Sequence, residues 1–334
     1  MTASRYAGKS VLVTGAQGFI GSWLTQRLLD EAARVVIVRR DYPALSNFRV
    51  AGLESRCDVV SGDLTDYDAL VRALNEYDVS AVFHLAAQTI VGTANRSPLS
   101  TWDTNLRGTY TLMEACRALR LTDSPLDRIV VASSDKAYGS HVELPYREDF
   151  ALQPTFPYDV SKAGTDMIAR SYAKTYEMPV AVTRLANVYG GGDFNFSRIV
   201  PDTCRSLIRD ERPVVRSDGT PERDYIYALD AVDAYLTVAD SLDRPEHWGR
   251  AWNAGAGEPR PAIEIVNLLT EVSGKDLEPD IRGKGTPHGE IDRQFLDSTA
   301  IHEQLGWQAS WALRDGLAEA YAWYERQIGA PGRG

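Results

Sequence analysis

The chain has 334 residues, 44% of them hydrophobic and 25% charged, and a formal net charge of −10. That length fits one large domain or two closely joined ones, and the composition supplies a core, so disorder is not the default. The acidic balance argues against nucleic acid, which needs a basic footprint, but leaves room for an anionic ligand at a helix N-terminus or a local arginine. The three cysteines, Cys57, Cys116 and Cys204, are scattered without metal-ligand spacing. They read as free thiols of a reducing compartment, and no metal is expected. No apolar run is long enough to span a membrane and no apolar signal core opens the chain, so a cytoplasmic location is expected.

In chain order, Ser10–Thr14 reads as a short apolar strand, followed by a helix with Ile20, Leu24 and Leu28 spaced four apart. Arg34–Val38 is the next strand, Asp58–Val60 a third and Ala81–Leu85 a fourth. A long helix is predicted from Pro98 to Leu119, a strand over Arg128–Ala132, a helix over Pro157–Tyr176 and a strand over Val180–Leu185. Strands alternating with helices imply right-handed βαβ units and a parallel sheet. Near-continuous Val/Ile runs suit strands covered on both faces. The fold class expected is therefore α/β, a Rossmann-type doubly wound parallel sheet. After Asn187 strands become sparser, and loops rich in Gly, Pro and Arg follow. Residues 1–186 are assigned to a dinucleotide-binding domain with a return segment around 224–255, and 187–330 mainly to a smaller substrate-binding lobe.

The segment Thr14-Gly15-Ala16-Gln17-Gly18-Phe19-Ile20-Gly21 sits between the first strand and its helix, the context in which a glycine fingerprint carries meaning. Gly15 allows a tight exit from the strand. Gly18 allows close approach of a pyrophosphate, and Gly21 allows the helix to pack closely. The helix N-terminus offers free N–H groups to the phosphates. The second strand runs into Arg39-Arg40-Asp41. An acidic residue there bonds the 2′-hydroxyl of NAD, whereas arginine accommodates the 2′-phosphate of NADP; with both present, NAD and NADP stay open. Asp63, after the third strand, is either an adenine contact or a turn or N-cap residue. His84 reads as a packed core residue.

Tyr158 and Lys162 are four apart on a predicted helix and so share a face. A nearby ammonium and a positively charged nicotinamide both favour the phenolate, which makes Tyr158 a candidate base for an alcohol losing hydride. The pair lies downstream of the fingerprint and just past a strand ending in Ser133-Ser134-Asp135-Lys136. Arg216, Arg223 and Arg293 are candidates for a diphosphate, because a guanidinium fork bonds two oxygens at once. Glu290 is a candidate ribose contact.

On these residues, together with Gly62-Asp63-Leu64, His84-Leu85-Ala86-Ala87-Gln88, Asn105, Asn187-Val188-Tyr189-Gly190 and Arg223-Asp224-Tyr225-Ile226, the chain resembles the extended short-chain dehydrogenases/reductases. This group contains the nucleotide-sugar epimerases and dehydratases, and the likeness covers nearly the whole length. It implies cofactor contacts from Phe19, Ile20, Leu64, Ala86, Ala87, Gln88 and Asn105 besides the glycines, with Lys162 on the nicotinamide ribose. Ser134 would share the substrate hydroxyl with Tyr158, while Asn187 and Arg223 would touch the diphosphate of the sugar nucleotide. The Asp135-Lys136 pair and Ile199-Val200-Pro201-Asp202 resemble the CDP-glucose 4,6-dehydratases, which puts Val200 among the substrate contacts. The Arg223-Asp224-Tyr225-Ile226-Tyr227 form departs from that subgroup and is shared with the wider group.

The resemblance implies a 4,6-dehydration on a CDP-, UDP-, GDP- or dTDP-linked hexose, with the cofactor tightly held. Asp135 would be the acid for the departing 6-hydroxyl and Lys136 either the C5 base or a group that only positions Asp135. An epimerase acting at C4 or C2, or a non-catalytic nucleotide-binding protein, are the alternatives. The resemblance also implies a homodimer through the helices near Trp102–Leu119 and Tyr158–Tyr176.

Overall fold

The computed structural model describes residues 4–285 and 291–329. The strands β1 (Ser10–Thr14), β2 (Arg34–Arg39), β3 (Asp58–Ser61), β4 (Val79–His84), β5 (Arg128–Ala132) and β6 (Val180–Leu185) form one sheet with a later strand, Ala251–Ala254. The spatial order is Ala251–Ala254, β6, β5, β4, β1, β2, β3, and all neighbours run parallel. The order reverses between β1 and β4, so the loops leaving those two strands part there and open a crevice, the general ligand position of such sheets.

Alternation along each strand explains why both faces are apolar. Val11 and Val13 of β1 enter one core with Leu24, Leu28, Phe83, Val130 and the Ala228–Ser241 helix, while Leu12 enters the other with Leu70, Leu74, Val82, Leu112 and Cys116. His84 is wholly inside, its Nδ1 2.7 Å from Thr14 Oγ1 and its Nε2 2.9 Å from Thr109 Oγ1. It is a core residue, and burial, with Lys162 nearby, pushes its pKa down to about 3.

The remaining strands are short. Asn187–Tyr189, Glu222–Tyr227, Pro259–Pro261 and Arg293–Gln294 make a small sheet centred on Glu222–Tyr227. The Ile199–Ile208, Ala262–Ser273 and Leu313–Ile328 helices build a separate core from Val200, Cys204, Leu207, Ile265, Leu269, Leu317 and Tyr324. The Gly190–Gly192 turn joins this part to the large sheet. Gly192 has φ +90, and a Cβ there would lie 2.6 Å from Asn47 Cβ, so a side chain is excluded twice over.

The predicted helix from Pro98 to Leu119 is observed from Leu99 to Arg120, but not as one regular helix. Residues Trp102–Arg107 form a π-turn. It leaves the Asn105 carbonyl to accept from Thr109 Oγ1 at 2.5 Å and Thr165 Oγ1 at 2.9 Å. Leu106 of this turn packs directly over Gly164, where a Cβ would overlap it, so the Pro157–Tyr176 helix approaches closely.

A buried polar network ties four elements together. Arg184 on β6 bonds Asp166 through Nε at 2.8 Å and through its Nη2 at 3.0 Å, both residues wholly buried. Its other nitrogen donates to Tyr138 Oη at 2.8 Å, and that hydroxyl donates to Asn253 Oδ1 at 2.7 Å. Removing one partner leaves a charge uncompensated inside the protein. Asp166→Ala is therefore expected to lower unfolding stability by about 3–5 kcal/mol, read from urea denaturation; a loss below about 1 kcal/mol would contradict this account.

Candidate active site

The site lies on the C-terminal edge of the large sheet, at the β1/β4 crevice. Gly15 has φ +74, and a Cβ on it would sit 2.7 Å from Ala86 N, so the loops after β1 and β4 touch at this glycine. Gly21 lies against the Gly15 carbonyl, and a Cβ would overlap it. Gly18 is exposed at the N-terminus of the Phe19–Asp30 helix, with no side-chain cap and no acidic residue in the first turn. Free N–H groups, no competing carboxylate and a glycine surface suit a pyrophosphate. The residues present thus fit a dinucleotide. Phe19 and Ile20 begin this helix half-buried, Ile20 packing on the core beneath.

At the far end of the crevice Asp63 makes a turn: Oδ1 accepts from Thr65 N at 2.8 Å and Thr65 Oγ1 at 2.7 Å. The N-cap of the following helix is Asp66. Leu64 is buried against Gly108. Arg39 stacks on Tyr42 and bonds Glu54, and Arg40 bonds Asp41.

Ala86, Ala87 and Gln88 follow β4, half-buried. Asn105 was expected to touch the cofactor, but its amide is used on the protein. Oδ1 accepts from Gln88 N at 2.7 Å, and Nδ2 donates to Gln88 O at 3.1 Å and Ser161 Oγ at 2.8 Å. Asn105 therefore clamps the loop that borders the crevice.

Ser134 ends the extended chain after β5 and caps a 3-10 turn, Asp135–Tyr138, its hydroxyl accepting from Lys136 N at 3.2 Å. That oxygen also donates to Asp135 Oδ1 at 2.9 Å. Asp135 is buried, and its second oxygen, Oδ2, has no hydrogen-bond partner. Burial raises its pKa, against the opposing charges of Lys136 and Arg223 and the Ser134 hydrogen bond. Tyr158 and Lys162 face the same place from the Pro157–Tyr176 helix, both buried. Burial raises the Tyr158 phenol, with Arg198 and Ser134 opposing and Asp135 and Asp159 reinforcing. Lys162 Nζ donates to Ala132 O at 2.8 Å, and burial brings its pKa down to about 8.

Of the substrate candidates, the structure brings Arg223 towards Asp135. It is buried, braced by the Glu222 and Asp292 carbonyls at 2.8 and 3.1 Å, and close enough for its charge to act on Asp135. Asn187 is half-buried on the strand beside Tyr225. Val200 is not brought there: its side chain is buried in the small-lobe core, because the apolar face of the Ile199–Ile208 helix turns inward. Arg216 and Arg293 are both more than half exposed, Arg216 bonding Asp202 at 2.8 Å and Arg293 bonding Glu222 at 2.6 Å. The structure does not bring either to Asp135. Glu290 lies outside the described residues.

Sequence reasoning missed Arg198. It precedes the Ile199–Ile208 helix, bonds buried Asp193 at 2.8 Å, and its charge reaches Tyr158. No local pattern marks it; only the approach of the two lobes does. Asp224, beside Arg223, is buried and accepts from Ala256 N at 3.0 Å and Gly257 N at 3.1 Å. Burial pushes it up to about 6. Its folded value exceeds the unfolded one of about 3.9, so its contribution to stability is greatest at acid pH and is lost as pH rises through 6. The melting-temperature difference between the wild type and the Asp224→Asn variant is expected to drift in favour of the variant between pH 4 and 7. A flat difference would contradict this.

Among the described residues no helix is long and apolar enough to cross a membrane, and no His/Cys/Asp/Glu cluster could hold a metal ion. The sequence matches the GDP-mannose 4,6 dehydratase family over residues 12–320. It is 29% identical to a CDP-glucose 4,6-dehydratase of Salmonella typhimurium, covering 97% of this chain and 92% of that protein. It is also 29% identical to a dTDP-glucose 4,6-dehydratase of Xanthomonas campestris, over 94% and 92% of the two chains. The fold is similar to that of a Streptomyces venezuelae dTDP-glucose 4,6-dehydratase solved with NAD, with TM-score 0.84, 29% identity, and 96% and 98% of the chains covered. A UDP-glucose 4-epimerase of Thermotoga maritima gives TM-score 0.85 at 28% identity, over 96% and 99%. A crevice fitted to a dinucleotide, with Ser134, Tyr158 and Lys162 at its edge, accords with these matches: the chain belongs to the GDP-mannose 4,6 dehydratase family of nicotinamide-dependent extended short-chain dehydrogenases/reductases.

Proposed function

We propose that this chain is a nucleotide-sugar 4,6-dehydratase, which converts a nucleotide-linked hexose of the CDP-glucose kind into its 4-keto-6-deoxy product. The observation that carries the reading is Asp135 Oδ2, buried beside Ser134 and without a partner. Burial raises the pKa of this carboxyl, the direction required of an acid that delivers a proton to a departing hydroxyl. An epimerase has no leaving hydroxyl to protonate. The names of the dehydratase relatives, which act on CDP-glucose and dTDP-glucose, support the same class.

Bound nicotinamide would accept the hydride that leaves C4 and return it to C6. The Tyr158 phenolate takes the C4 hydroxyl proton, and Ser134 holds that oxygen. The 4-ketone acidifies C5; Lys136 takes the C5 proton, Asp135 protonates the C6 oxygen, and water leaves. This step needs a neutral acid and a neutral amine. Asp135 and Lys136 are adjacent, and the charge of one acts on the other, so a single proton passing between them interconverts the ion pair and the reactive form. C6 then receives the hydride and C5 a proton, giving a net loss of one water. Arg223, Asn187 and Arg198 surround the place where a sugar diphosphate enters.

We further propose a homodimer in the cytoplasm. The outward faces of the neighbouring Leu99–Arg120 and Pro157–Tyr176 helices expose Leu99, Tyr110, Met167 and Tyr176, an apolar face suited to a second copy. Sedimentation should show a dimer and Met167→Glu a monomer; a monomeric wild type overturns this part.

The chemistry is tested with CDP-, UDP-, GDP- and dTDP-hexoses in deuterated water. A product lighter by one water and carrying deuterium at C5 is expected, whereas an isomeric product of unchanged oxidation level overturns the reading. Asp135→Asn is expected to slow water loss by about 10²–10⁴-fold while hydride removal, followed by nicotinamide absorbance in a single turnover, persists. Lys136→Met eliminating water at the wild-type rate would remove Lys136 as the base.

A further inference from the structure

A pocket of about 280 Å³ opens between the Phe19–Asp30 helix, the short Asn47–Val50 helix and the Leu313–Ile328 helix. Its lining includes Trp23, Gln26, Asn47, Trp323, Arg326 and Gln327, none of which belongs to the candidate active site. Three of them seat the Gly190–Gly192 turn that joins the two parts of the fold. Trp23 Nε1 donates to Gly191 O at 2.8 Å. The Trp323 ring lies so close to Gly191 that a Cβ there would overlap it, and Asn47 leaves no room for one at Gly192. The pocket is therefore built on the interlobe turn.

The polar groups around it keep bonding capacity that the protein does not use. Gln26 Nε2 donates to Asp30 at 2.7 and 2.8 Å, which leaves its Oε1 as an acceptor. Asn47 Nδ2 donates to Ser22 Oγ at 2.9 Å, which likewise leaves its Oδ1. Among the described residues, the Trp323 N–H, the Gln327 amide and the Arg326 guanidinium have no hydrogen-bond or ion-pair partner. No carboxylate is among the described residues that line the pocket, in a chain of net charge −10, and Arg326 supplies its only charge. Indole faces pack on the C–H face of a sugar ring. Amides pair with hydroxyls, which both donate and accept, and a guanidinium fork takes a phosphate. The volume lies below the roughly 300–1,000 Å³ of sites for drug-sized ligands. It admits one sugar ring with a phosphate and excludes a dinucleotide or a nucleotide-linked hexose. A planar aromatic anion would use the rings and the fork but leave the amides unmet.

We propose that this pocket binds a hexose phosphate and that the bound ligand braces the Gly190–Gly192 turn. The turn leads on to the active site. The hydroxyl of Tyr324, the neighbour of Trp323, bonds Asp193 O at 2.6 Å and lies 3.3 Å from Gly190 O. Asp193 in turn holds Arg198 at 2.8 Å, and the charge of Arg198 reaches Tyr158. A ligand that ties Trp23 to Trp323 fixes the turn from outside, and with it the placement of Arg198. Neither the binding nor its readout requires turnover, so the proposed reaction stands whichever way this inference falls.

Equilibrium binding provides the test. The purified full-length protein is titrated with glucose 1-phosphate, with glucose and with inorganic phosphate, following tryptophan fluorescence. Glucose 1-phosphate is expected to saturate with a Kd on the order of 0.1–1 mM. Glucose and phosphate should bind at least about tenfold more weakly, since each makes only part of the contacts. In Arg326→Ala, an exposed position with no hydrogen bond to lose, the Kd for glucose 1-phosphate should rise at least about tenfold. The melting temperature of that variant without ligand should match the wild type. In the wild type, saturating glucose 1-phosphate should slow amide hydrogen exchange across residues 190–198 by at least about tenfold. Absence of saturation by about 10 mM overturns the inference, as does phosphate binding as tightly as the sugar phosphate. Unchanged affinity in Arg326→Ala, or binding that leaves exchange at 190–198 unaltered, overturns it equally.

Discussion

Arg184 is wholly buried and bonded at two points to Asp166, one turn beyond Lys162 on the same helix. Through Tyr138 the same guanidinium holds the end of the 3-10 turn that begins with Asp135. One ion pair therefore sets the distance between the element carrying the phenol and the ammonium and the element carrying the carboxyl. Two charges are worth taking out of water only when nearly all their bonding capacity is met. Here Asp166 receives two bonds from Arg184 and a third from Arg170 at 3.4 Å, and the Tyr138 hydroxyl donates to Asn253 Oδ1. The pair is rigid because any displacement leaves a buried charge short of a partner.

That rigidity matters because the candidate reacting groups are held in unfavourable surroundings. Asp135, Tyr158 and Lys162 are all buried, and burial disfavours the charged form of each: the carboxyl and phenol are raised and the ammonium is lowered. The charged form of each acid is in turn supported by charges placed around the site, Arg198 for the phenolate and Lys136 and Arg223 for the carboxylate. The strand and helix that carry Tyr158, Lys162 and Asp135 belong to the large sheet, whereas Arg198 and Arg223 come from segments beyond β6. The candidate site is assembled between two parts of the fold, and neither part contains it alone.

The large sheet was almost fully legible. β1, β5, β6 and the Pro157–Tyr176 helix have the bounds expected from Val/Ile runs and helical spacing, since strands buried on both faces must be apolar throughout. The placement of Ser134, Asp135, Tyr158 and Lys162 beside the C-terminal end of β5 was legible as well, because it follows from one strand end and one helix face. Periodicity marks the helix without revealing its π-turn, or that the Asn105 amide within that turn bonds the loop at Gln88. Val200 was named from a likeness in sequence, but the burial of its helix face placed it in a core.

The sequence by itself determined the alternation of elements, the fingerprint from Gly15 to Gly21 and the residue types available for acid and base work. These are local properties, set by spacing along one chain segment. Only the tertiary structure decided that Gly15 meets Ala86 across the switch between β1 and β4, that Asp135 Oδ2 is left without a partner, and that Arg198 approaches Tyr158. It also decided that Arg39 is stacked on Tyr42, with each carboxylate near the β2 end already bonded. These are contacts between residues far apart in the chain, or the result of burial by them. Their energies depend on what else has left water at the same place, which no single segment of the sequence records.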